Sequence, residues 1–195
     1  MINLAIFASG RGSNAENIIK YFKDSTLINV SLIITNKDKA FVIEIAKENN
    51  IPYIIYNKTF FYDSINNNEI IGSLKEYKID FIILAGFLLK IPESILKLYN
   101  KKIINIHPAL LPKYGGKNMY GDNVHNAVIN SKEKYSGITI HFVNDNYDEG
   151  EIIFQVKCDV LPEDNAESLA KRIHNLEYRY YPEIIEKVVK DVFSI

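Results

Sequence analysis

NLAIFASGRGSNAENIIKYF, residues 3–22, joins an apolar run from Asn3 to Ala8 to the turn SGRGSN and then to a segment, Ala15 to Phe22, whose apolar residues recur at helical spacing. Strand, loop and helix in that order open a βαβ unit. The alternation continues with a strand over Val30 to Thr35, a helix over Ala40 to Asn49, a strand over Tyr53 to Tyr56 and a helix over Ile65 to Tyr77. Phe81 to Ala85 (FIILA) is apolar throughout, as strands buried on both faces of a parallel sheet are. A short helix over Glu93 to Tyr99 and a strand over Lys102 to Ile106 follow, and then the pattern changes. Ile138 to Val143 and Glu151 to Val160 alternate in period two across a turn-rich loop, which predicts an antiparallel hairpin on the sheet edge. A last helix is expected over Ala166 to Val192. The expected fold is α/β, a single doubly wound Rossmann-like domain over 1–195 with a mostly parallel mixed sheet, a C-terminal antiparallel hairpin and a helix.

The 195 residues are 47% hydrophobic with a formal net charge of -1, enough apolar material for a substantial core. Charges of both signs are interspersed, so no footprint for nucleic acid stands out, and small molecules are the expected partners. Cys158 is the only cysteine, which excludes an internal disulfide and a thiolate zinc cluster and suits a reducing cytoplasm. The N-terminus enters a strand without a basic leader, and no apolar run approaches the roughly 18 residues of a membrane span. A cytoplasmic location away from membranes is therefore expected.

Ser9-Gly10-Arg11-Gly12-Ser13-Asn14 lies where backbone N–H groups and a helix dipole favour an anion, with phosphate as the obvious guest. The spacing is not that of an NTP P-loop, and Ala15 stands where a dinucleotide fingerprint has its third glycine, a place some fingerprints fill with Ala. The acidic partner usual at the end of the second strand is absent, since that strand ends Thr35-Asn36-Lys37. The plain alternative is a glycine turn with Ser13 or Asn14 capping the helix.

Asn105 and His107 stand two residues apart at the end of a buried strand and share a face. An amide can donate to a developing oxyanion and an imidazole can move a proton near neutral pH, whereas the plain reading of His107 is a histidine packed beside Pro108. Asp148, in NDNYDEG, is either a turn residue or a carboxylate beside the imidazole, where it would favour the charged ring. His141 alternates with apolar residues and reads as a packing residue, His125 as a helix-start residue, Glu177 as part of a solvated face, and Cys158 as buried. No metal-ligand set is present in the sequence.

SGRGSN (9–14), LAGFLLKI (84–91), NIHPALLPKYGG (105–116), HFVNDNYDEG (141–150) and EYRYYP (177–182), taken together, resemble the phosphoribosylglycinamide formyltransferases, folate-dependent enzymes of purine biosynthesis, over nearly the whole chain. The resemblance implies transfer of a formyl group from 10-formyltetrahydrofolate, a co-substrate, to the amine of glycinamide ribonucleotide. It implies catalytic roles for Asn105, His107 and Asp148, with His107 kept protonated by Asp148. Gly12, Ser13 and Asn14 would hold the ribonucleotide phosphate, and His174 and Glu177 the rest of that substrate. Leu88, Leu89, Lys90, Ile91, Asn105, Val143, Asn144, Asp145, Asn146 and Tyr147 would enclose the folate. Residues 1–100 would form the nucleotide-binding half and 101–195 the catalytic and folate-binding half. Two departures stand out: Leu89-Lys90 where relatives often carry Arg after the AGF motif, and no Arg in FFYDSINNN to hold a glutamate tail. The segment GGKNMYGDNVH is also a few residues longer than usual.

Three rival readings share parts of this pattern. A formyltetrahydrofolate hydrolase has the same Asn, His and Asp but an extra N-terminal regulatory domain, and this chain starts at the first strand. Methionyl-tRNA formyltransferase needs a C-terminal RNA-binding domain that 195 residues do not accommodate. A non-catalytic nucleotide-binding module would use SGRGSN alone.

Overall fold

Apolar β-branched and aromatic residues carry β1 (Ile2–Phe7), β2 (Ile28–Thr35) and β4 (Phe81–Leu84), and their inner residues are buried on both faces as a helix-covered sheet requires. The computed structural model describes residues 1–63 and 67–195. The remaining strands are β3 (Tyr53–Ile55), β5 (Ile103–His107), β6 (Tyr135–Phe142) and β7 (Ile152–Asp159). They form one mixed sheet in the order β3-β2-β1-β4-β5-β6-β7. β1 runs parallel to β2 and β4, and β2 parallel to β3, whereas β6 and β7 are antiparallel at the end of the order. The expected edge hairpin is therefore present.

Two compact units divide the chain: Met1–Ile104 with Glu186–Ile195, and Asn105–Ile185. In the first, α1 (Ser13–Phe22) and α2 (Val42–Glu48) bury one apolar stripe each, Ala15, Ile18, Ile19 and Phe22 on α1 and Val42, Ile43, Ile45 and Ala46 on α2. Burying each large aliphatic side chain contributes about 1.5–3 kcal/mol. α4 (Asn67–Glu76) and α5 (Glu93–Leu98) complete the expected helices. Ile65 and Asn66, the expected start of α4, lie outside the described residues. An unexpected helix, α3 (Lys58–Tyr62), precedes it. Its cap is the Asn57 side chain, which accepts from the Thr59 N–H at 2.9 Å, and its anchor is Phe61, buried against Phe87 with ring centroids 5.1 Å apart.

The second unit holds α6 (Asp122–Asn130) and most of α7 (Ala166–Phe193). A reciprocal cap starts α7: Ser168 N–H donates to Asn165 Oδ1 and Asn165 N–H to Ser168 Oγ, both at 3.0 Å. Arg172 then ties the β7–α7 loop to the helix through two bonds to Asp164, at 2.6 and 3.1 Å. That guanidinium is the main reason the Asp164 carboxyl lies far below the ordinary carboxylate range. Among the described residues no helix is long and apolar enough to cross a membrane.

Candidate active site

In the first unit, the loop after β1 reaches α1 through Gly12, whose φ of 75° is left-handed. A Cβ there would lie 2.8 Å from Val42 Cβ, so glycine is required both by backbone conformation and by the close approach of α2. The expectation that Ser13 or Asn14 caps the helix does not hold: Gly12 is the N-cap, and no side chain bonds to the first turn as a cap. The reason is geometric, since both residues are already inside the helix. Ser9, just after β1, has a role that the sequence did not suggest. Its buried hydroxyl accepts from the Leu88 N–H at 3.0 Å and donates to Asn36 Oδ1 at 2.5 Å, and its N–H donates to the Gly86 carbonyl, so one small side chain joins the ends of β1, β2 and β4. Of the residues in the LLKI segment, Leu88 and Lys90 are exposed, Leu89 half-buried and Ile91 buried.

The second unit brings together Asn105, His107 and Asp148, with one addition that periodicity did not reveal. Asn105 and His107 lie on β5, as alternation on one face requires, and both reach Asp148: Asn105 Nδ2 lies 3.5 Å from Oδ1, and His107 Nδ1 3.5 Å from Oδ2. Asp148 also accepts the Gly116 N–H at 2.9 Å. Its own φ is 57°, a left-handed conformation that Asp tolerates, so the turn reading and the carboxylate reading hold at once. The addition is His141 on β6. Its Nδ1 faces the Phe142 carbonyl at 2.9 Å and therefore carries the proton, which leaves Nε2 to accept from Asn105 Nδ2 at 3.2 Å. His141 is buried, as a packing residue would be, yet it orients the Asn105 amide. The sheet register shifts between Ile140 and His141, a bulge of the kind that re-aims side chains. Gly150 allows this, because a Cβ there would run into the Phe142 carbonyl.

His107 is only 3% exposed, and its protonation follows from that burial. Burial pulls the imidazole below its ordinary 6.5, and the opposing pull of Asp148 and of the Tyr114 carbonyl does not overcome it. The expectation that Asp148 keeps His107 charged is therefore corrected: the resting ring is neutral near pH 7. Nε2 lies 2.8 Å from the Tyr114 carbonyl, an acceptor only, so the proton sits there and Nδ1 is bare toward Asp148. At 3.5 Å that contact is longer than an ordinary hydrogen bond. The opposite holds for Asp148: burial alone would raise its carboxyl, but the polar groups around it, the Gly116 N–H at 2.9 Å among them, hold it below the usual range and ionised.

A buried knot fixes the loop that follows β5. Thr139 Oγ1 donates to the Ala109 carbonyl at 2.7 Å and accepts from the Leu111 N–H at 3.0 Å and from Gln155 Nε2 at 2.9 Å, using the full capacity of a hydroxyl. Further along, Tyr114 has a φ of 59° and its phenol donates to Glu133 Oε1 at 3.0 Å, which holds the carbonyl that meets His107.

The other candidates occupy varied settings. Glu177, read as part of a solvated face, is 6% exposed, and its charge adds to the burial that raises the neighbouring Tyr181 phenol well above 10. His174, one turn earlier on α7, is exposed and stacked on Tyr178 with centroids 6.1 Å apart. His125 starts α6 as expected but is buried with no hydrogen bond to Nδ1, and burial lowers its pKa. In the 143–147 loop Val143 is half-buried and Asn144, Asp145, Asn146 and Tyr147 are exposed; Asn144 Oδ1 accepts the Asn146 N–H at 3.0 Å, a turn that shapes the loop. Cys158 is half-buried on β7 rather than buried, and burial pushes its thiol up. Among the described residues no cluster of His, Cys, Asp and Glu is arranged to hold a metal ion.

An amide, an imidazole and a carboxylate converging at one strand end can together donate to an oxyanion and move a proton, which are the means that acyl transfer needs. The formyl transferase model matches residues 2–185, and the chain belongs to that family. Its similarity runs to one branch in particular. It is 40% identical over 191 residues to the chloroplastic phosphoribosylglycinamide formyltransferase of Arabidopsis thaliana, covering 96% of this chain and 65% of that protein. The phosphoribosylglycinamide formyltransferase of Bacillus subtilis (strain 168) is 35% identical, over 97% of this chain and 95% of its own. A crystal structure of the Bacillus halodurans enzyme of that name superposes with a TM-score of 0.88 at 35% identity, covering 97% and 96% of the two chains. This chain thus spans about two thirds of the plant relative and nearly all of the bacterial ones.

Proposed function

We propose that the protein transfers the formyl group of 10-formyltetrahydrofolate to the amine of glycinamide ribonucleotide, a step of purine biosynthesis in the cytoplasm. The observation that carries this reading is the Asn105–His107–Asp148 convergence in a chain whose relatives bear that enzyme's name. The first half, with Gly12, Ser13 and Asn14, binds the ribonucleotide phosphate on uncapped backbone N–H groups. His174 and Glu177 bind the remainder of the ribonucleotide, and Leu88 to Ile91 with Val143 to Tyr147 the folate.

The substrate amine attacks the formyl carbon with its lone pair, and the carbonyl electrons move to oxygen. Asn105 donates to that oxyanion. Its second Nδ2 hydrogen, held at 3.5 Å by Asp148 Oδ1, is weakly engaged and free to turn, while the first stays on His141. A neutral His107 suits the proton transfer that comes next. Nδ1 takes the proton the amine sheds, Asp148 stabilises the imidazolium, and the same proton passes to the folate nitrogen as the carbon–nitrogen bond breaks and its electron pair returns to that nitrogen. Formylated ribonucleotide and tetrahydrofolate result.

Tetrahydrofolate release from 10-formyltetrahydrofolate, followed with and without glycinamide ribonucleotide, tests the reading. Release is expected only when the acceptor is present. Equal release without it would make the protein a hydrolase, and no release in either case would leave a binding module.

A further inference from the structure

The first unit contains a cavity of about 720 Å³ beside the β1–α1 loop, at the carboxyl ends of β1, β2 and β3. Neither the ribonucleotide phosphate residues Gly12, Ser13 and Asn14 nor any folate residue proposed above lines it. Three cations do: Arg11 from the loop after β1, and Lys37 and Lys39 from the segment between β2 and α2. Among the described residues none of the three forms an ion pair, although surface lysines elsewhere in the chain commonly do, as Lys20 with Glu16 and Lys47 with Glu44 show. One carboxylate, Asp38, stands between the two lysines in sequence, which leaves a wall with an excess of positive charge. Beside the cations lie two large apolar side chains left in solvent, Phe41 at 59% and Ile55 at 39% exposure.

From these groups we infer that the cavity is a second binding site, for a nucleoside polyphosphate. Each part of such a ligand meets a matching group. Unpaired Arg11, Lys37 and Lys39 suit phosphate oxygens, Asp38 offers an acceptor to sugar hydroxyls, and the flat face of Phe41 with Ile55 offers a base the apolar contact it seeks. The position fits too, because open α/β sheets hold nucleotides in the crevice outside the carboxyl ends of their strands. The volume falls within the roughly 300–1,000 Å³ usual for small-molecule sites. The acidic group that dinucleotide sites place at the end of the second strand is replaced here by Asn36-Lys37, which turns the same crevice toward a more highly charged ligand. The inference does not depend on the formyl-transfer reading.

Calorimetric titration of the whole chain with ADP, pyrophosphate and adenosine tests it. One ADP per chain is expected, bound about tenfold more tightly than pyrophosphate or adenosine and more weakly as salt rises. The Lys37→Glu, Lys39→Glu variant reverses two exposed charges without touching the core, and should weaken ADP at least about tenfold. Phe41→Ala should bring ADP down to the level of pyrophosphate and leave pyrophosphate unchanged. Ser13→Glu should leave ADP affinity within about twofold, since α1's first turn is not part of the cavity wall. Absence of saturable ADP binding, equal affinity for ADP and pyrophosphate, survival of binding in the lysine variant, or its loss in Ser13→Glu would each overturn the inference.

Discussion

The β1–α1 loop and the β5–β6 cluster prepare for ligands in opposite ways. In the loop the sequence withholds partners: Gly12 replaces a side-chain cap, and Arg11, Lys37 and Lys39 beside it are unpaired. In the cluster nearly every polar atom is already held, Asn105 by His141, Asp148 by Gly116, His107 by Tyr114, and the backbone around them by Thr139. Substrate charge binds where hydrogen-bonding groups are left open, and chemistry needs groups that cannot wander. Changes to the cluster should therefore act on turnover, and changes to the loop on affinity.

The largest effect is expected in the cluster. His107→Asn and Asp148→Asn should each lower kcat by about 10²-fold or more, the usual scale of positioned acid–base catalysis. The double variant should be little worse than the worse single one, because in the proposed mechanism the two side chains handle one proton together. Steady-state kinetics decide it, and fully multiplicative losses would separate the two residues.

On the loop, if the proposed phosphate site is right, Ser13→Glu would set a carboxylate against that phosphate and should weaken glycinamide ribonucleotide by roughly tenfold or more while sparing folate. Titration with each ligand measures the contrast. Equal loss for both would reduce SGRGSN to a structural turn.

A smaller effect, on stability, should follow from Thr139→Val. The substitution keeps the shape but leaves the Leu111 N–H and the Ala109 carbonyl without their partner, at a cost of about 2–4 kcal/mol. Denaturant unfolding would show it as a lower midpoint. An unchanged midpoint would mean that the loop after His107 is held by other contacts.

How far these two regions could be read in the sequence differs for physical reasons. Alternating apolar runs located the strands of the first unit to within a residue or two, since a strand buried on both faces has no other way to be written. Asn105 and His107 were legible because period two puts them on one face. His141 was not. Both faces of β6 are buried, so Thr139 and His141 look like core residues beside Ile138 and Ile140, and the bulge after Ile140 leaves no mark in composition. Glu177 was misread for the converse reason: a carboxylate among tyrosines on a helix suggests a wet face, and only the packing around Tyr181 places it inside. α3 escaped because five residues are too few for a helical period, although Asn57 before Lys58-Thr59-Phe60-Phe61 is a cap followed by an anchor. The charge state of His107 depends on burial set against a single carboxylate, a balance that spacing alone does not express.

In the proposed mechanism that balance decides how the site handles its proton, and the pH dependence of kcat/KM in the native chain and in Asp148→Asn tests it most directly. Folding holds the His107 pKa below 6.5, so the neutral ring that receives a proton persists as pH falls below that value and is lost only on passing through the depressed pKa. Asp148 is the larger of the two forces opposing the depression, so its removal should carry the acid limb lower still. The expected result is an acid limb below 6.5 in the native chain, moved further down in Asp148→Asn, with kcat lowered about 10²-fold and ribonucleotide affinity nearly intact. Normal turnover in Asp148→Asn, or an acid limb that stays where it was, would contradict it.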